Sequence, residues 1–167
     1  TIARVTQYQY TKNKKYIITY SKTADPILEI KTTSGQTLMK INNVQQYKIA
    51  PQENAVLFSA DHNIGFISLN KEVLKTMIIE NASTPFYNLI WQKNGNAVAF
   101  LQKGADSEQN RLFFYQLNDK NLFKFEAENF SNFPADFTIS PTVSTKLLIS
   151  DDGQRVFFGI KKRESNE

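Results

Sequence analysis

The stretch from Asn88 to Leu101 constrains this chain more than any other. Leu89-Ile90-Trp91 reads as one strand, Asn94-Gly95 as a tight turn, and Ala97 to Leu101 as the returning strand. Asn-Gly between two apolar runs is a strong hairpin signal, because the favoured two-residue turn needs positive φ at its centre. The same sentence recurs in weaker form around Ile17, Val56 and Val156. With Val98, these second-strand positions lie 39, 42 and 58 residues apart. A period near 40 residues with about four short strands per unit is the signature of propeller blades. A sandwich or an ordinary barrel has a similar strand count, but neither requires the strand-turn-strand sentence to recur in register.

The strands follow from β-branched and aromatic runs. Thr1 to Tyr10 alternates loosely. Tyr16 to Tyr20, Ile27 to Thr32 and Thr37 to Ile41 read as strands, with breaks at Ser21–Pro26 and at Thr33–Gln36. The pattern restarts at Tyr47–Ile49, continues through Ala55–Ser59 and Ile64–Leu69, and ends at Val73–Ile79. That last segment has helix-compatible spacing at Val73, Leu74, Met77 and Ile78, yet the repeat argues for a strand. A third pass runs from Leu89 through Arg111–Leu117 and Leu122–Phe125. A fourth opens at Leu147 and holds Asp151-Asp152-Gly153 at its turn. Asn129 to Thr145 reads as an excursion between repeats. The expected fold is therefore all-β: a β-propeller fragment of about three to four blades of four-stranded antiparallel sheet. It spans residues 1–167 with repeats at roughly 11–46, 47–86, 87–128 and an incomplete one at 145–167.

Composition narrows the function classes. The chain of 167 residues is 41% hydrophobic and 13% aromatic, with 13 Phe and 7 Tyr, which excludes a disordered chain and suits strands. Without cysteine there is no disulfide, thiolate nucleophile or zinc–cysteine site. No apolar run approaches a membrane span. The chain opens at Thr1 without a secretory signal, as a mature or excised form would. The net charge of +4 invites a nucleic-acid reading. The basic residues are scattered, however, apart from Lys12/Lys14/Lys15 and Lys161-Lys162-Arg163, and both groups sit at predicted strand ends. There, solvated charge protects sheet edges, and nucleic acid is not expected as a partner.

Candidate chemistry is sparse. The single histidine, His62, follows Asp61 and lies near Ser59, but strand neighbours point to opposite faces and make no triad. Asp151-Asp152 sits in a predicted turn, where Asp serves local backbone bonding. Glu126 and Glu128 read as a solvated strand end, and Trp91 as a packing wedge. No Gly-x-Ser-x-Gly elbow and no Gly-rich phosphate loop occur. No catalytic, cofactor or metal residue is therefore assigned. The long connections Gly104–Asn110 and Asn129–Thr145 are the candidate partner-binding loops.

The segments Ile49 to Phe58, Ile90 to Phe100 and Ile149 to Gly159 resemble the strand, Ser-Pro-Asp-Gly, strand repeat of TolB-like propellers. The same repeat is found in the propeller of prolyl oligopeptidase and dipeptidyl peptidase family enzymes. Gly95 and Gly153 supply the positive-φ turn residue of the repeat, and Asn54 approximates it. The resemblance implies an N-terminal, non-catalytic propeller region in a periplasmic or secreted serine peptidase, limiting peptide access to a C-terminal α/β-hydrolase domain outside this chain. Those enzymes hold the substrate's amino group with a Glu pair, and no adjacent Glu-Glu occurs here. A TolB-like or WD-type scaffold for a protein partner is the alternative. A ring needs at least four blades, so the two end faces are expected to be apolar and to drive self-association of the isolated chain.

Overall fold

The computed structural model describes residues 7–104, 109–141 and 147–163. The chain divides into two compact units, Thr1–Glu80 and Asn81–Glu167.

The first unit holds two antiparallel four-stranded sheets, each built from strands consecutive in sequence. In the first sheet β1 (Gln7–Tyr10), β2 (Tyr16–Ser21), β3 (Ile27–Thr32) and β4 (Thr37–Asn42) pair in chain order. In the second, β5 (Val44–Ile49), β6 (Ala55–Ala60), β7 (Asn63–Ser68) and β8 (Leu74–Ile79) do the same. The helix-compatible spacing before Glu80 therefore yields to sheet pairing. β8 pairs with β7, and Met77 packs against the core between the two sheets. That core comprises Ile18, Tyr20, Leu28, Ile30 and Ile41 from the first sheet with Val44, Val56, Phe58, Ala60 and Ile67 from the second. Alternation explains it, since every second residue of a strand shares one face.

The second unit contains β9 (Phe86–Trp91), β10 (Ala97–Lys103), β11 (Asn110–Gln116) and β12 (Asn121–Glu126), again paired in chain order. A bulge interrupts β9 opposite β10, with Asn88 at φ 53°. Phe86, Phe100 and Phe113 form a buried trio, with ring centroids 5.4 to 5.9 Å apart. Trp91 is only half-buried; the fully buried aromatic of its strand is Phe86.

Two short strand pairs follow: β13 (Phe137–Ile139) with β16 (Ile160–Lys162), and β14 (Leu148–Ile149) with β15 (Val156–Phe157). This corrects the reading of Asn129 to Thr145 as an excursion. β13 lies inside that segment and pairs with the strand that follows the last turn. Residues 156–162 thus act as one returning strand whose partner is split between β13 and β14. Phe130 and Phe133 also pack on Phe125, at 4.5 and 6.0 Å between ring centroids. Residues 142–146, at the end of the expected excursion, lie outside the described residues, as do residues 105–108 of the Gly104–Asn110 loop. Ile139 and Leu147 are buried with Ala97, Ala99, Leu101, Leu112 and Phe114, and Phe125 and Phe158 pack beside them.

One end face departs from expectation. Register places Tyr8, Thr19, Glu29 and Lys40 side by side, with Tyr10, Ile17 and Lys31 next to them. They form the face of the first sheet opposite its core. At the corresponding register positions the second sheet has Phe58, Gly65 and Ile67 where this face has Thr19, Glu29 and Lys31. The Lys31 and Glu29 side chains pair at 3.0 Å. This face is mixed rather than uniformly apolar: Tyr8, Tyr10 and Ile17 share it, but strand positions that carry Phe58, Gly65 and Ile67 in the next sheet carry a hydroxyl and an ion pair here.

Two glycines test the packing. Gly153 holds φ +68° with open space around a would-be Cβ, so Gly153→Ala should cost only the backbone penalty of about 1 kcal/mol. A Cβ on Gly65 would meet the Thr76 carbonyl oxygen at 2.6 Å and Phe58 Cζ at 3.1 Å. Gly65→Ala is expected to reach the upper part of the roughly 1–3 kcal/mol range of overpacking. Urea unfolding of the two variants ranks them, and equal losses would contradict the close approach.

Candidate functional site

The repeated turn is the unit from which the surface is built. Its first residue is Thr11, Ala50, Gln92 or Ser150, spaced 39, 42 and 58 residues apart. In each case its N–H donates to the carbonyl five residues on, and its carbonyl accepts from the N–H three residues on. All eight bonds measure 2.8 to 3.0 Å. The donor at the fourth place must hold positive φ: Lys14 at 55°, Glu53 at 57°, Gly95 at 73° and Gly153 at 68°. Glycine meets this demand without steric cost, and the structure shows Lys14 and Glu53 meeting it with side chains. Asn54, expected at this place in the second repeat, lies one residue too late.

Adjacent turns touch within each unit. In the first, the Lys12 backbone N–H donates to Glu53 Oε2 at 2.6 Å, Gln9 Nε2 to Glu53 Oε1 at 3.0 Å, and Lys12 Nζ to the Pro51 carbonyl at 3.2 Å. In the second, Gln92 Nε2 donates to the Asp151 carbonyl at 2.7 Å and Lys93 Nζ lies 3.4 Å from Asp151 Oδ2. Gln92 is only 2% exposed. Its Oε1 accepts from the N–H groups of Asn94 and Asn96 at 2.9 and 3.3 Å, so one side chain closes its own turn and holds the next.

Two grooves accompany these turns. The one in the second unit holds about 200 Å³ and is lined by Asn94, Asn96, Gln116, Asn118, Asp119 and Asp152 among others. That volume suits a few waters or one inserted side chain and falls short of a small-molecule pocket. The groove in the first unit is larger, about 410 Å³, between β1 and β5, and is lined by Gln7, Tyr8, Gln9, Ile18, Tyr47 and Ile49. Tyr47 Oη donates to Gln7 Oε1 at 2.8 Å, and its ring sits 5.0 Å from that of Tyr20, whose hydroxyl donates to the Val44 carbonyl. Burial, helped by Tyr20, raises the Tyr47 pKa above the usual phenol range. Tyr47 thus presents a neutral hydroxyl at physiological pH. Gln7 and Gln9, which share a face of β1, form the open side.

The residues weighed for chemistry are placed as follows. Ser59 is fully buried, whereas His62 is exposed on the β6–β7 turn beside Asp61, whose Oδ2 accepts from Asn43 Nδ2 at 3.3 Å. Asp152 accepts from the Ser150 hydroxyl and from the Gln154 N–H at 3.0 Å. These bonds hold its carboxyl below the usual range. Glu126 is not the solvated strand end expected. It meets Lys124 Nζ at 2.8 Å, Arg111 Nε at 2.6 Å and Asn129 Nδ2 at 3.1 Å. The Lys124 bond, foremost, keeps its carboxyl below the ordinary value. Glu128 belongs to the short 3-10 turn Ala127–Asn129. Sequence reasoning missed Gln92 and Asn110. Asn110 was assigned to a loop, yet it opens β11, is buried, donates to the Ile139 carbonyl at 2.8 Å and accepts from the Tyr87 hydroxyl. Burial pushes the Tyr87 pKa up to about 12. Among the described residues, no group of three His, Cys, Asp or Glu side chains is placed to hold a metal ion, and no helix is long and apolar enough to cross a membrane.

Solved structures share this arrangement. The chain superposes on a tricorn protease with a TM-score of 0.61 at 12% identity, covering 93% of this chain and 15% of that one. The β-propeller domain of the Trilobed protease from Pyrococcus furiosus gives 0.55 at 12%, covering 84% and 46%. The fold is a β-propeller segment. TolB from Acinetobacter baumannii gives 0.53 at 14% identity, covering 99% of this chain and 39% of TolB. The chain therefore spans less than half the length of each of these proteins, and its three four-stranded sheets are blades. No protein-family model matches the sequence, and no curated protein matches it.

Two outcomes test the site's construction. Gln92→Ala leaves two turn N–H groups and the Asp151 carbonyl without this partner and should cost about 1–3 kcal/mol in denaturant unfolding. Exchange of the Asn94 and Asn96 amides should quicken as well. Glu126→Gln should cost about 1 kcal/mol at neutral pH, as a partly screened cluster does. Because the folded pKa of Glu126 is depressed, its contribution is present above the unfolded carboxylate value and fades as pH falls through the folded one. The variant and the parent should therefore converge in acid.

Proposed function

We propose that this chain is a non-catalytic propeller section of a prolyl oligopeptidase-family serine peptidase, acting in a periplasmic or secreted setting. In that reading it limits peptide access to a hydrolase domain carried elsewhere in the protein. The observation that carries the reading is the turn repeat. Four Ser-Pro-Asp-Gly-type turns, with the same pair of backbone bonds and the same positive-φ residue, lie in sheets that superpose on sections of two proteases. The sequence contributes no Gly-x-Ser-x-Gly elbow, so the nucleophile is assigned to another part of the protein and no residue of 1–167 is given a catalytic role.

The groove between β1 and β5 favours a second reading, a TolB-like scaffold that takes a side chain or short segment of a protein partner. Its volume lies within the small-ligand range, its walls combine tyrosine rings with two glutamine amides, and such amphipathic surfaces are common at interfaces.

Treating the full-length protein with a fluorophosphonate probe separates the two. Labelling of a serine outside the segment described here is the expected result. A protein that takes no label, and whose stable partner is lost on Gln7→Ala in the groove, would instead establish the scaffold.

A further inference from the structure

The sequence holds a single Asn-Gly pair, Asn94-Gly95, at the third and fourth places of the third turn. Asn94 is exposed, and Gly95 holds φ 73°. The third place of the other turns is taken by Asn13, Gln52 and Asp152. Two of these lock their own turn. Asn13 Oδ1 accepts from the Thr11 hydroxyl at 2.7 Å and from the Lys15 N–H at 3.0 Å. Asp152 Oδ1 accepts from the Ser150 hydroxyl and from the Gln154 N–H at 3.0 Å. Asn94 is held differently. The corresponding N–H, that of Asn96, donates to Gln92 Oε1 at 3.3 Å, and the Asn94 carboxamide turns outward to put Nδ2 3.5 Å from the Asp151 carbonyl. The bond that fixes the Asn13 and Asp152 side chains is thus supplied here by Gln92.

A carboxamide released from its own turn and followed by glycine is open to attack by the next backbone nitrogen, because glycine has no Cβ to crowd the approach. In that step the Gly95 nitrogen bonds to Asn94 Cγ, the Cγ–Nδ2 bond breaks, and ammonia leaves with the proton that the nitrogen gives up. Water then opens the five-membered imide at either carbonyl. Attack at Cγ yields aspartate; attack at the backbone carbon yields isoaspartate, whose main chain runs through Cγ and is one carbon longer. Nothing is oxidised or reduced, and water is the only co-reactant. The folded turn restrains the first step. The Gly95 N–H donates to the Gln92 carbonyl at 2.8 Å, and the Asn94 N–H donates to Gln92 Oε1 at 2.9 Å, so the nitrogen becomes available when the turn opens. We infer that Asn94 is a site of spontaneous deamidation, that Gln92 is its brake, and that the product loosens the join between the third and fourth turns. Aspartate sets a carboxylate against the Asp151 carbonyl, acceptor against acceptor, where the amide donated. Isoaspartate lengthens the loop that the two backbone bonds of Gln92 close, and Gln92 Nε2, which donates to the Asp151 carbonyl at 2.7 Å, shifts with it.

The test incubates the full chain in mildly alkaline buffer and follows each asparagine by peptide mass spectrometry, with isoaspartate labelled by its methyltransferase. Asn94 should convert ahead of the exposed Asn13 and Asn118. It should also lead isoaspartate formation at Asp152, which precedes a glycine too but has its carboxylate held. In the parent chain the rate at Asn94 should climb with urea to the plateau of the unfolded chain. Gln92→Ala should raise the rate without urea about tenfold, by easing local opening, and leave that plateau unchanged. Asn94→Asp, a fixed form of the product, should quicken amide exchange at Ser150 and Gly153 across the join. The inference is overturned if Asn13 or Asn118 converts first, or if neither urea nor Gln92→Ala changes the rate at Asn94. Ser150 and Gly153 amides as protected in Asn94→Asp as in the parent would overturn the loosening of the join.

Discussion

Everything in this chain hangs on one closed turn, in which a residue bonds forward to the fifth residue and back from the third. The two bonds fix which residue of each returning strand stands opposite which residue of the outgoing one. Because side chains alternate across a sheet, a slip of one residue would exchange the core face for the other face. The turn therefore decides that Val56 and Phe58 meet Ile18 and Leu28 in one buried cluster. Hydrophobic burial supplies the stabilisation, at roughly 25 cal/mol per Å² of apolar surface, but the turn selects which surface is buried.

The four turns reach the same geometry with different chemistry. Ser150 uses its hydroxyl as a local acceptor for Gln154 and Arg155, and Thr11 does so for Tyr16. Ala50 has no polar group and relies on the backbone alone. Gln92 reaches further, bonding its own turn and its neighbour's carbonyl. This variety explains why the motif is so degenerate in sequence. The constraint is on two backbone bonds and one positive φ, and each can be met in several ways.

That degeneracy set the limits of sequence reading. Hairpins flanked by apolar runs were legible, as were the spacing of the repeats and the strand at β8, because period-two patterning and glycine turns state them locally. The turn at Glu53 was not, since a glutamate in the left-handed region carries no composition signal. β13 was hidden for a different reason: its partner β16 lies more than twenty residues away, and its three residues are too few to show a period. The candidate site was less legible still. Gln92 and Asn110 matter through bonds to Asp151 and Ile139, which sequence alone does not bring near them. The polar centre of the first sheet's outer face was readable in principle, as Thr19, Glu29 and Lys31 alternate along their strands. It becomes visible once register shows Phe58, Gly65 and Ile67 at the same places in the next sheet.

The chain-order pairing of strands also bears on how the protein comes to be folded. Each complete sheet closes within a few dozen consecutive residues, so its loops are short and the entropy cost of closing them is small. Sheets of this kind can form one after another as a chain emerges during synthesis, with the first consolidated before the third exists. The pair β13–β16 breaks that order. It must wait until the hairpin of β14 and β15 has been made and then draw back a segment left behind, so this pairing forms later than sequence order alone would set.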